Sequence, residues 1–192
     1  MRGRRVEGKC LILILIFAFL VLGCRQQAAA GQADMERPAD KYLCHYQIAA
    51  EPGTTEYEEQ IEFYLDDQDR WNNLIDNLPH DFTLAFTKVR KELQTSEETL
   101  GFRIGRSQKK VSKIITSKDP KLREVIALCI AMQIPRKLSD KLIKLAGKSY
   151  EADPMASYFE SWLDMCGDFT VEHCNAVLVK LGQEPLIDGE FD

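Results

Sequence analysis

The sequence predicts an all-α fold: a compact five-helix unit at 81–148, flanked by helical segments and closed by a C-terminal helical hairpin. Three observations lead there. After residue 55, apolar residues recur at three- and four-residue spacing, the period of a helix with one buried face. Ser or Thr stands where several of these runs begin, as helix N-caps do. Gly or Pro stands where they stop, with short connections between, which favours a bundle of neighbouring helices.

Residues 1–24 are of a different kind. Arg2, Arg4, Arg5 and Lys9 form a positive head, and Leu11 to Leu22 is an unbroken apolar stretch, as in an export signal. The stretch is shorter than the about 20 residues that a membrane-spanning helix needs. Val21 to Cys24 resembles a lipoprotein processing box with Cys24 as the lipidated residue, although Leu22 is bulky for its place. Residues 25–55 read as linker and irregular lead-in; Tyr42 to Ala50 alternates loosely, as a short strand or as irregular chain, and Pro52 and Gly53 mark a turn.

An acidic helical extension is expected at 56–80. Thr55 reads as the cap of a helix carrying Tyr57, Ile61, Tyr64 and Leu65, with Glu58 completing a capping box. A second short helix is expected from Gln68 through Trp71, Leu74 and Ile75, ended by Pro79.

The five-helix unit follows. Its first helix carries Phe82, Phe86, Val89 and Leu93 and ends near Gln94. Thr95 and Ser96 offer caps for the second, whose first turn holds Glu97 and Glu98, where the helix dipole favours negative charge. Gly105 suits a left-handed terminus, and Ser107 caps a third helix with Val111, Ile114 and Ile115 inward. Pro120 is placed in the first turn of a fourth helix lined by Leu122, Val125, Ile126, Cys129 and Ile130. Pro135 breaks it, and Leu138, Leu142, Ile143 and Leu145 mark a fifth that Gly147 ends. In the acidic tail, 149–192, one helix carries Tyr158, Phe159, Trp162, Leu163 and Met165. Another carries Val171, Cys174, Val177, Leu178 and Leu181, the pair forming either an intramolecular cover or a dimer contact.

Charge is unevenly placed. The formal net charge of -5 argues against a polyanionic partner only until it is divided by segment. Asp40 to Asp81 holds eleven acids and two bases; Lys88 to Arg123 holds eleven bases and four acids; beyond Tyr150, Lys180 alone faces ten acids. A basic block between two acidic ones is the footprint that a phosphate backbone would select.

Enzymatic classes find no support in the sequence. His45, His80 and His173 lack recognisable partners, and no nucleophile with its base, no Gly-rich phosphate loop and no zinc motif occurs. The six cysteines form no Cys-x-x-Cys pair, so a metal site is not indicated; they are too few in a chain this long to indicate a disulfide framework, and no cofactor is expected.

The run from Ser96 to Ile114 resembles the phage-repressor and Cro family of helix-turn-helix domains, often called XRE-like. Leu100 and Ile104 stand where that family anchors its second helix, and Gly101 where it usually has Ala because two helices cross closely. Gly105 takes the tight turn, Ser107 opens the recognition helix, and Val111 and Ile114 tie it down. After Ile115 the family often has an acidic residue and Gly, whereas Thr116 and Ser117 stand here. The resemblance implies sequence-specific binding of double-stranded DNA, with the helix at about 107–116 in the major groove, as in a bacterial transcription regulator. Base-edge contacts would then come from Ser107, Gln108, Lys109 and Ser112, and phosphate contacts from Arg90, Arg106, Lys110, Lys113, Lys118 and Lys121. A homodimer through the C-terminal helices would suit a palindromic site.

Export and DNA binding exclude one another. Positive-inside orientation would carry everything after Cys24 out of the cytoplasm. Translation from Met35 resolves the conflict and is the preferred reading, giving a cytoplasmic protein. The alternative is an exported lipoprotein, membrane-anchored if Cys24 is processed and lipidated, whose helical domain binds another protein.

Overall fold

The computed structural model describes residues 49–187. The export-like segment with Cys24, the Met35 start and nearly all of the loosely alternating 42–50 stretch lie outside them. Within the described residues the chain is all-helical: α1 (Thr55–Asp76), α2 (Phe82–Glu92), α3 (Glu97–Arg103), α4 (Gln108–Ile115), α5 (Leu122–Met132), α6 (Arg136–Leu145), a 3-10 turn (Tyr150–Ala152), α7 (Ala156–Asp164) and α8 (Val171–Lys180).

The helix boundaries follow from local chemistry. Asp81, Ser96, Ser107 and Thr170 each cap a helix, their side-chain oxygens accepting from the backbone N–H of Leu84, Thr99, Lys110 and His173. Gly105 and Gly147 take left-handed conformations, φ +66° and +70°, as expected of helix-ending glycines. Gln94 and Gln133, at φ 51° and 54°, end α2 and α5 in the same way without being glycine. The fourth helix starts at Leu122 with Lys121 as its cap, two residues later than a Pro120 in the first turn implied. Glu124 closes this start by accepting from the Lys121 N–H at 3.2 Å.

One expected break does not exist. Residues 55–76 form a single helix of 22 residues rather than two short ones, with Thr54, not Thr55, as the cap. Nothing from Asp66 to Gln68 removes a backbone donor or forbids helical angles, and Trp71 Nε1 donates to Asp67 Oδ2 at 3.1 Å across one turn. Only Asp67, Trp71, Leu74 and Ile75 of this helix are buried, where its C-terminal part meets α6.

The core is organised on α5. Residues Val125 to Met132 are all buried, so this helix is apolar on every side and must be surrounded. It packs against α3, α6, α7 and α8, while α2 packs on α4 and α6. Phe159, Trp162, Leu163, Cys174, Leu178, Leu186 and Ile187 belong to the same apolar cluster as α2 to α6. Most of the apolar face of α7 and α8 is therefore covered within the chain. A dimer contact through them would have to use Tyr158, Met165, Val179 and Leu181, which stay exposed.

The cysteines divide into two kinds. Cys129 and Cys174 are free and buried, and desolvation pushes both thiols up to about 12, against a weak opposing pull from Ser139 on Cys129. Cys166 is disulfide-bonded, which the small number of cysteines did not indicate. No helix of the described residues is long and apolar enough to cross a membrane.

Candidate functional site

The candidate site is built on the corner between α3 and α4, the most extensively packed pair of helices among the described residues. Arg106 N donates to Gly101 O at 2.8 Å, drawing the turn back onto α3. A Cβ added at Gly101 would lie 2.6 Å from Arg106 O and 3.1 Å from Gln108 N. Even the Ala of the resembling family would clash there, so the missing side chain is what lets α4 start so close to α3. Leu100 and Ile104 are buried beside it, as are Val111 and Ile114 on α4. Thr83 Oγ1 donates to Ile115 O at 2.8 Å and holds the other end of α4 against α2.

With its inner face fixed by Val111, Ile114 and Ile115, α4 turns one polar face outward. At 100° per residue, Gln108, Ser112, Thr116, Lys109 and Lys113 fall within an arc of about 140°. Gln108, Lys109, Lys113 and Thr116 are exposed and Ser112 is half-buried. Lys118 and Lys121 are exposed on the connection that follows. Lys109, Lys113 and Lys118 make no ion pair among the described residues.

Other expected contact residues are engaged inside the molecule. Ser107 is half-buried, and its hydroxyl caps α4 by accepting from Lys110 N at 3.4 Å. Lys110 Nζ lies 2.8 Å from Glu124 Oε1, which ties it to the start of α5. Arg90 donates to Thr95 O at 3.1 Å and sits 3.6 Å from Glu97, bracing the α2–α3 connection. Arg106 donates to Gly105 O and, at 2.9 Å, to Ile187 O near the end of the chain. Sequence reasoning placed these three cations toward phosphates; the fold turns each toward a carbonyl or a carboxylate.

Arg103 and Arg123 complete a pattern the charge count concealed. Arg103 donates to Ala131 O at 2.7 Å. Arg123 bonds both carboxylate oxygens of Asp153, at 2.9 and 3.1 Å, also donates to Glu184 O, and lies 5.6 Å above the ring of Phe159. Burial alone would raise the Asp153 carboxyl; the Arg123 and Met155 hydrogen bonds outweigh it and hold the group below its usual range. Arginine offers several donors in a planar fork, suited to several acceptors at once, whereas lysine is a single charge on a flexible stem. The basic block therefore divides: its arginines bind the fold and a subset of its lysines faces solvent. Phe102, 71% exposed on α3 next to Gly101, is an apolar neighbour that the helical pattern did not single out.

A cavity of about 10 Å³ lined by Cys129, Trp162, Leu163, Cys166 and Phe169 is at the limit for one water. Among the described residues no three metal-ligating side chains converge. No family model matches the chain, and neither the curated proteins nor the solved structures compared with it gave a match.

Proposed function

We propose that the chain binds double-stranded DNA with sequence preference, α4 lying in the major groove and α2 to α6 forming a five-helix, phage-repressor-like domain. A role in transcription regulation follows from that reading. The observation that carries it is the two-sidedness of α4. Its inner residues are locked into the core and its outer arc presents Gln108, Lys109, Ser112 and Lys113, followed by Lys118. A helix held rigidly by one face, with exposed amide, hydroxyl and ammonium groups on the other, can read base edges and touch phosphates without reorganising.

The roles are narrower than the resemblance alone implied. Gln108, Lys109 and Ser112 are the base-edge residues, Gln pairing with adenine and Lys reaching guanine O6 or N7. Lys113, Lys118 and Lys121 serve phosphates. Ser107, Arg90, Arg106 and Lys110 support the helix rather than the duplex.

Substitution separates the two sets. Replacing Gln108 and Lys109 by Ala should relax sequence preference, whereas replacing Lys113 and Lys118 should weaken all duplexes alike and flatten the dependence on salt. Identical behaviour of the two pairs would remove α4 from the groove.

A second reading has one observation in its favour. Cys166 is disulfide-bonded, and such bonds persist in oxidising compartments rather than in a reducing cytosol. On that reading the protein is exported and the same surface binds an acidic protein partner. The mass of the native protein decides between them: a chain starting at Met35 fits the DNA reading, and a lipidated Cys24 terminus fits the exported one.

A further inference from the structure

We infer that residues 184–187 form a strap that positions the N-terminal end of α4, with Arg106 as the positioning residue and Asn175 as the far anchor. The inference rests on the reading of α4 as the duplex-binding helix, and it assigns the C-terminal hairpin a part in that binding.

The strap is held by independent contacts from three parts of the molecule. Arg106, the residue immediately before the α4 cap, donates to Ile187 O at 2.9 Å. Arg123 at the start of α5 donates to Glu184 O. Asn175 on α8 accepts the Leu186 N–H at 2.8 Å through Oδ1. Leu186 and Ile187, each 2% exposed, fill the apolar core between these points.

The consequence for α4 is direct. Arg106 O is the atom nearest to where a Cβ at Gly101 would stand, and Arg106 N is bonded to Gly101 O. The residue that sets the α3–α4 distance through its backbone is thus clamped to the strap through its side chain. Arg106 Nε is buried without a hydrogen-bond partner. A guanidinium free to turn outward would recover that bond from water, so the strap keeps the group inward against a local cost. Arg106 in this position is a brace and not a phosphate ligand. The first amides it steadies are those of Lys110 and Val111, which both donate to Ser107 O.

Hydrogen exchange and duplex binding of the full chain test the strap, with Asn175→Ala, Arg106→Ala and Arg106→Lys as variants. Asn175→Ala loosens the strap without altering charge or any residue of the α3–α4 corner. The probes are a duplex pool of random sequence and whatever sequence the unaltered chain enriches from it. Asn175→Ala and Arg106→Ala should each raise exchange at the Lys110 and Val111 amides about tenfold while leaving the Leu142 and Ile143 amides of α6 unchanged. Both should reduce preference for the enriched duplex over the pool by a similar factor, and Arg106→Lys, which keeps the charge but not the fork that reaches Gly105 O and Ile187 O, should restore little of it; full rescue by lysine would overturn the brace. Unchanged exchange at Lys110 and Val111 in both alanine variants would overturn the inference. So would tighter binding of every duplex by Asn175→Ala, which would mean that the strap withholds Arg106 from phosphate. If the unaltered chain enriches no sequence, the proposed function fails, and the exchange result still decides whether the strap acts on α4.

Discussion

The α3–α4 corner and the α7–α8 tail are both pairs of short helices joined by a turn with a left-handed glycine, Gly105 at φ +66° and Gly167 at φ +91°. They are held together by opposite means. In the corner, backbone meets backbone: a Cβ at Gly101 would stand 2.6 Å from a carbonyl oxygen, so little side-chain volume separates the helices. In the tail, a Cβ at Gly167 would meet nothing within 4 Å, and the structure depends on aromatic packing instead. Trp162 has the rings of Tyr158, Phe159 and Phe169 around it at 5.8 to 6.4 Å between centroids. A contact made by backbone leaves the outward side chains of α4 available for a partner. A contact made by side chains turns the aromatic rings inward, and among the outward side chains of α7 and α8 only Lys180 is a lysine or arginine.

The largest expected effect breaks the tail. Phe159 is fully buried, and Phe159→Ala should cost about 3–5 kcal/mol in chemical denaturation through lost transfer energy and a residual cavity. A cost near 1 kcal/mol would mean that the aromatic cluster repacks and that the tail is less specific than described.

The corner should respond to the smallest possible addition. In a helix, Gly→Ala gains up to about 1 kcal/mol from propensity, while overpacking against rigid backbone costs about 1–3 kcal/mol. At 2.6 Å from a carbonyl the steric cost should win, so Gly101→Ala should destabilise by about 1–2 kcal/mol. A stabilised variant would show that the helices are further apart than this geometry has them.

Where tail meets core, Arg123→Ala should cost about 2 kcal/mol, between the value of a surface ion pair and that of a fully buried one. The partners' side chains are 18% and 14% exposed, which sets that intermediate expectation. The effect carries a pH signature. Asp153 has a folded pKa below its ordinary 3.8, so its contribution is complete above that value and is lost as pH falls from there through the lower folded value. The difference between native chain and variant should therefore shrink in acid; an unchanged difference at pH 2 would remove Asp153 from the account.

The thiols give a smaller, kinetic readout of whether the two regions open together. With both raised to about 12, Cys129 in α5 and Cys174 in α8 should resist an aromatic disulfide reagent at pH 8 until the chain unfolds. Because both lie in one apolar cluster, they should react at the same rate. Earlier reaction of Cys174 would show the tail opening by itself.

Much of the corner was legible in the sequence because its determinants are local. Ser96, Ser107, Gly105 and Gly147 act within a few residues of where they stand, and each fills the place that its chemistry implied. The basic arc of α4 follows from spacing alone. The engagement of two arginines was not legible because their partners are distant: Arg106 bonds a carbonyl 81 residues away and Arg123 one 61 residues away, whereas Arg90 bonds Thr95 O only five residues on. No periodicity encodes a guanidinium that binds backbone, since any residue supplies the acceptor. The continuity of α1 was missed for a different reason. The apolar residues on either side of Asp66 to Gln68 were read as two separate runs, yet those three residues contain no group that stops a helix.

Salt titration of duplex binding by the full chain tests the central claim most directly. If α4 and the residues after it bind phosphates through Lys113, Lys118 and Lys121, the logarithm of affinity should fall linearly with the logarithm of salt. The slope should be roughly -3, near -0.9 for each phosphate contact. Affinity that does not change with salt, or no duplex binding at low salt, would contradict the account.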